Sequence, residues 1–185
     1  MDPPGITRHR RPFFAPLWLS MLAVLVVGGV AFSFYRSANT AVVLLIQPAE
    51  KEPGTISDPP LSPEGEQRAQ QLAQMLGDSS DALSLDGIYV SDDRRAQQTA
   101  APLAQRLHRT PVVFKAADAR ATASRVLREH PGGTLLVIAS GVTLTEIIRE
   151  LSGTDLAAAA PHNPDVLYVV SVPSFGRAHL VRLRY

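Results

Sequence analysis

The residues of this chain with potential for chemistry gather at the ends of predicted strands. The apolar run Ala41 to Ile46 leads straight into Gln47-Pro48-Ala49-Glu50. A second run, Gly87 to Ser91, leads into Asp92-Asp93-Arg94-Arg95, and a third, Thr134 to Ala139, leads into Ser140. Ligands of α/β proteins collect beyond the carboxyl ends of the strands, so these three segments form the candidate site. Arg95 can bind an anion, helped by the helix start at Ser91 to Asp93, or it can pair with Glu50, Asp92 or Asp93. Ser140 follows a strand and precedes a helix, as nucleophilic serines do. Its surroundings nevertheless read Ala-Ser-Gly-Val, without the Gly-x-Ser-x-Gly elbow, and a small polar filler is the plainer reading. Asp92 and Asp93 have no third carboxylate or histidine at a metal-binding spacing. With Arg94 they read as a solvated face whose acids favour the helix start. No metal or other cofactor is expected.

The histidines add little. His9 lies in the N-terminal arm, His108 and His130 at helix ends remote from the candidate site, and His179 in the last strand. His162, in the loop before the penultimate strand, is the one that can be imagined near the site, and it reads more simply as a solvated loop residue. The chain has no cysteine, which excludes disulfides, thiolate metal sites and a thiol nucleophile. A formal net charge of +1 gives no reason to expect nucleic acid as a partner.

The elements that must position these residues are legible as an alternation. At 185 residues and 45% hydrophobic composition, the chain has room for one domain and an appendage. Val42 to Ile46 is a β-branched and aliphatic run suited to a strand covered on both faces. Residues 47–61 form a loop rich in Pro and Gly. Ser62-Pro63-Glu64 then supplies an N-cap, a proline at the first helical position and an early acid. The helix it opens carries Ala69, Leu72, Ala73 and Leu76 on one face and can end at Gly77. After the strand 87–91, Ser91 to Asp93 cap a helix whose stripe is Ala96, Thr99, Ala100, Leu103 and Leu107. Strands are expected at 112–115 and 134–139, with helices at 119–129 and 142–151, the last closed by Gly153. Residues 166–172 and 178–184 make a closing pair of strands. This order predicts an α/β fold: a three-layer α/β/α sandwich around a mostly parallel mixed sheet.

The appendage is residues 13–35, a run without charge that exceeds the roughly 20 residues a membrane-spanning helix needs. Trp18 and Tyr35 suit the two interfaces. Arg8, Arg10 and Arg11 precede the run and Arg36 follows it, so residues 1–12 are expected to be cytoplasmic. Residues 36–40 are a linker, and 41–185 form a domain facing the periplasm or the cell exterior. A cleaved signal peptide is the alternative. Its apolar region would be only about 7–15 residues long, and no convincing cleavage site follows. Arg10-Arg11-Pro12-Phe13-Phe14 faintly resembles a twin-arginine export signal.

Four stretches carry a family resemblance. They are Val43 to Glu50; Asp58-Pro59-Pro60-Leu61-Ser62-Pro63-Glu64-Gly65 with Arg68-Ala69; Ile88 to Ala100; and Leu135 to Leu144. In this order and spacing they resemble the histidine phosphatase, or phosphoglycerate mutase-like, superfamily. The resemblance implies that fold and a phosphate pocket of two arginines and two histidines. Carried over, the first arginine is Gln47, the nucleophilic histidine is Pro48, the second arginine is Arg95 and the second histidine is Ser140. The family's acid after the nucleophile is Glu50. Its separate proton donor has no clear counterpart, with Asp118 a guess.

Proline brings no nucleophile, and losing two cationic donors worth about 1.5–3 kcal/mol each weakens anion binding. The resemblance therefore implies a membrane-anchored pseudo-phosphatase. It would be a binding or regulatory module with at most a residual phosphate pocket at Arg95, Gln47 and Ser140. Its partners would be the membrane, through residues 13–35, and a phosphorylated or anionic ligand or a protein. The alternatives are an active phosphomonoesterase using non-standard residues in the same pocket, and a purely structural partner in a membrane complex.

Overall fold

A strand with no polar face must be covered on both sides, and β1 (Thr40–Ile46) is. Val43 and Leu45 enter one core cluster, with α4 (Ala119–Glu129) and α5 (Gly141–Ser152). Leu44 and Ile46 enter the other, with α2 (Pro63–Gly77) and α3 (Arg94–Arg106). Successive side chains of a strand point to opposite faces, so one apolar run supplies both cores. The protein is described here by a computed structural model, and residues 17–38, 40–54, 57–78, 84–154 and 165–184 are described.

β1 lies inside a six-stranded sheet. The other strands are β2 (Gly87–Ser91), β3 (Val112–Phe114), β4 (Thr134–Ile138), β5 (Val166–Pro173) and β6 (His179–Arg184), and the order is β3-β2-β4-β1-β5-β6. β1, β2, β3 and β4 run parallel, with Leu44 opposite Leu136 and Ile88 opposite Leu136 on the other side. β5 is antiparallel to β1, and β6 to β5. The sheet is thus mixed, with the expected parallel part and closing pair.

Local chemistry explains the boundaries. The Ser62 hydroxyl accepts from the Gly65 N–H at 3.1 Å, with Pro63 at the first helical position. Gly153 closes α5 at φ 66°, a left-handed conformation that glycine adopts without strain. Pro102 falls within α3, where it removes the N–H due to the Gln98 carbonyl, yet the buried stripe of Ala96, Thr99, Ala100 and Leu103 carries the helix through.

The chain divides into two compact units, Met1–Tyr35 and Arg36–Tyr185. α1 (Leu17–Ala38) has 22 residues. Its side chains are described over 18–33 and are all exposed, Trp18, Met21, Leu25 and Phe32 among them. Among the described residues no helix is long and apolar enough to cross a membrane. Residues 13–16 of the predicted span, like the arm at 1–12, lie outside the described residues.

At the edge of the sheet opposite the candidate site, Tyr89 is fully covered and its hydroxyl donates to Glu129 Oε2 at 2.9 Å. The His130 ring stands edge-on to it, 6.0 Å between centroids. Burial first, then the hydrogen bond and charge of Glu129, pushes the phenol up from 10.0 to about 12. An unfolded chain would release this proton first. The resulting contribution to stability is complete below pH 10 and is lost as the pH rises towards 12. Tyr89→Phe should flatten the decline of melting temperature over that window; an unchanged decline would show that Tyr89 is not its source.

Candidate active site

The three strand ends meet as the topology requires, because β1 and β2 flank β4 and all three point the same way. The Ala139 N–H donates to the Ile46 carbonyl at 3.2 Å, which sets Ser140 beside the Gln47-Pro48 step. Gln47 and Pro48 are buried, and Arg95 is half-buried. α3 is joined to this step through Thr99. The Ala49 N–H donates to Thr99 Oγ1 at 3.1 Å, and the same hydroxyl donates to the Arg95 carbonyl at 2.8 Å. Arg95 Nη1 donates to the Ala49 carbonyl at 3.3 Å. That bond holds the guanidinium against the chain segment carrying Pro48.

Arg95 makes no ion pair with Glu50, Asp92 or Asp93 among the described residues. Each acid has another task. Glu50 takes the fork of Arg68, with Nε at 2.8 and 3.0 Å from its two oxygens and Nη2 at 2.7 Å. The other arm of Arg68 pairs with Asp165, just before β5. Asp92 Oδ1 accepts from the Ala116 N–H at 3.2 Å.

Asp93 corrects the sequence reading. It is half-buried rather than part of a solvated face, and it makes no capping bond to α3. Its Oδ2 accepts from the hydroxyls of both Ser91 and Ser140, each at 2.7 Å. With that carboxylate drawn towards the strand ends, another takes over the helix start. The Arg94 N–H donates to Asp58, at 3.0 and 3.3 Å from its two oxygens. Asp58 lies in the loop after β1, 36 residues earlier, a separation that local capping patterns do not reveal. The loop is further tied by the Leu61 N–H, which donates to Gln98 Oε1 at 2.9 Å.

These bonds set what the site can do. The positive end of α3 already meets a carboxylate, so it is less available to an anion. The single Ser140 proton is given to Asp93. Among the described residues the Arg95 fork keeps donors beyond the one spent on Ala49. Pro48 itself offers neither a reactive side chain nor an N–H. Asp118 ends a 3-10 turn (Ala116–Asp118) and lines a groove between β3 and α4, with no hydrogen bond to Arg95, Asp93 or Ser140 among the described residues. His162 lies outside the described residues. His130 and His179 are placed at the opposite edge of the sheet and on its outermost strand.

Comparison with known proteins bears on the fold that carries these residues. The family model of the histidine phosphatase superfamily (branch 1) matches residues 46–117, from the end of β1 to just past β3. No curated protein matches the sequence. Among solved structures, a mycobacterial glucosyl-3-phosphoglycerate phosphatase is similar with TM-score 0.61 and 15% identity, over 76% of this chain and 97% of that one. The protein histidine phosphatase SixA, complexed with tungstate, gives 0.62 and 17%, over 77% and 96%. A phosphoserine phosphatase from Entamoeba histolytica, in complex with 3-phosphoglyceric acid, gives 0.58 and 14%, over 78% and 97%. At such identities the likeness is one of fold. Together the family model and the shared fold support the histidine phosphatase superfamily. Gln47, Pro48 and Arg95 fall inside the matched residues, whereas Ser140 falls beyond them.

Proposed function

We propose that this protein is a catalytically silent member of the histidine phosphatase superfamily, acting as a binding or regulatory module. The observation that carries the reading is Pro48 at the end of β1, beside the half-buried Arg95. Phosphoryl transfer through a covalent intermediate needs an atom that can bond to phosphorus, and proline has none to offer. The neighbouring donors point the same way. Ser140 gives its proton to Asp93, and Asp58 occupies the start of α3. Arg95, Gln47 and Ser140 are what is left of a phosphate pocket.

The test is a phosphatase assay of the full chain on p-nitrophenyl phosphate and on a phosphohistidine peptide. The expected rate equals that of Arg95→Ala. Turnover that persists through purification and disappears in Arg95→Ala or Ser140→Ala would overturn the reading in favour of a phosphomonoesterase with non-standard residues.

Residues 13–35 are proposed as a membrane anchor, with the N-terminus cytoplasmic and the domain periplasmic or extracellular. What supports this is the uncharged run in the sequence, longer than the roughly 20 residues a membrane-spanning helix needs, and the exposed apolar side chains within 18–33. The full chain should stay in the membrane pellet through an alkaline carbonate wash, and its release into the supernatant would refute the anchor.

A further inference from the structure

We infer that the free edge of β3 receives an extended peptide segment in which apolar and acidic side chains alternate. β3 pairs with β2 on one side and is the last strand of the sheet on the other. What distinguishes it is a pair of open grooves, one towards α3 and one towards α4, with Val113 lining both. On the α3 side, Pro111, Val113, Ala101 and Ala104 border an apolar hollow of about 340 Å³. Val113 is 52% exposed there, a large share for a strand valine. On the α4 side, Phe114 lies in a groove of about 380 Å³ with Lys115, Arg125 and Arg128, against Asp118 as its single carboxylate. Arg125 is held by Glu129 at 2.7 Å, whereas Lys115 and Arg128 make no ion pair among the described residues. The groove therefore has a cationic charge that is not neutralised locally.

A segment added along a strand places successive side chains on opposite faces of the sheet. Residues turned to the α3 side would enter the apolar hollow, and those turned to the α4 side would meet Lys115 and Arg128. This charge complementarity commits the occupant to an acidic, alternating segment of a protein partner. Pro111 before β3 and Lys115 after it are the kinds of residue that protect edge strands from indiscriminate pairing. They confine main-chain pairing to a short stretch, so selectivity comes from the two hollows. None of these residues belongs to the pocket at Gln47, Pro48, Arg95 and Ser140, and the inference stands whether or not that pocket is silent.

The experiment uses the full chain and a fluorescent, end-blocked octapeptide of alternating Val and Glu, read by fluorescence anisotropy. The expected result is saturable binding that the same residues in block order, or an alternating Val and Lys peptide, do not show. Lys115→Glu with Arg128→Glu should weaken it about tenfold or more, and Ala101→Glu, at the other hollow, should do so independently. Unchanged melting curves would show that the variants are folded. Equal binding of the block-order peptide, absence of binding at millimolar peptide, indifference to both sets of variants, or a second copy occupying this edge in sedimentation would each overturn the inference.

Discussion

Gly65→Ala is expected to destabilise the domain by about 1–2 kcal/mol, since forcing an extra carbon into a packed site costs about 1–3 kcal/mol. A Cβ at this position would lie 2.3 Å from the Glu50 carbonyl oxygen and 3.1 Å from the Glu50 nitrogen. Both are main-chain atoms, so no side chain can turn aside. The Glu50 carbonyl also accepts from the Ser62 N–H at 2.9 Å, the residue that caps α2, and cannot retreat without breaking that bond. Alanine would gain up to about 1 kcal/mol in helix propensity, and the collision outweighs it. Urea unfolding measures the difference. A variant as stable as the parent would mean that α2 and the loop after β1 separate more easily than their contact implies.

Arg68→Met should cost about 1.5–3 kcal/mol, the range for hydrogen bonds to charged groups. Methionine keeps the apolar stem and removes the fork. The side chain of Glu50 is 27% exposed, so its charge would stay partly withdrawn from water without its bidentate partner. Asp165 would lose the same residue, and with it the tie between α2 and the entry to β5. Arg68→Lys should recover only part of the loss, because an ammonium cannot bind both Glu50 oxygens in parallel. If methionine and lysine at this position were equally stable, the fork would have no separate value.

Periodicity made most of the fold legible. The stripe Ala69, Leu72, Ala73, Leu76 located α2, and the apolar run at 42–46 announced a strand covered on both sides, because burial on a helix or strand face leaves a mark at fixed spacing. The strand ends that frame the site followed from the same alternation. The tasks of its acids did not. Asp93 serves Ser140 across 47 residues, and Asp58 caps a helix 36 residues later. A carboxylate next to a helix start looks the same in sequence whether it faces water, its own helix or a distant hydroxyl. Arg68 stood out in the sequence only beside Ala69 in one of the resembling stretches, and nothing there showed that it holds Glu50 and Asp165 together. Pro102 misleads in the opposite sense, since a proline suggests a helix end and α3 passes through it.

The place of β1 in the sheet has a consequence for synthesis. It is the first strand of the sheet to be made, yet its neighbours are β4 and β5, the fourth and fifth. At about 5–20 residues per second, some 5–20 seconds pass between the emergence of β1 and that of β4. Throughout that interval Val42-Val43-Leu44-Leu45-Ile46 is an apolar, uncharged strand with both edges open, the kind of segment on which chains aggregate. The hazard of this protein thus lies in the order in which its strands appear, and substitutions that slow the arrival of β4 or β5 should show first as lost yield, before any change in the finished fold.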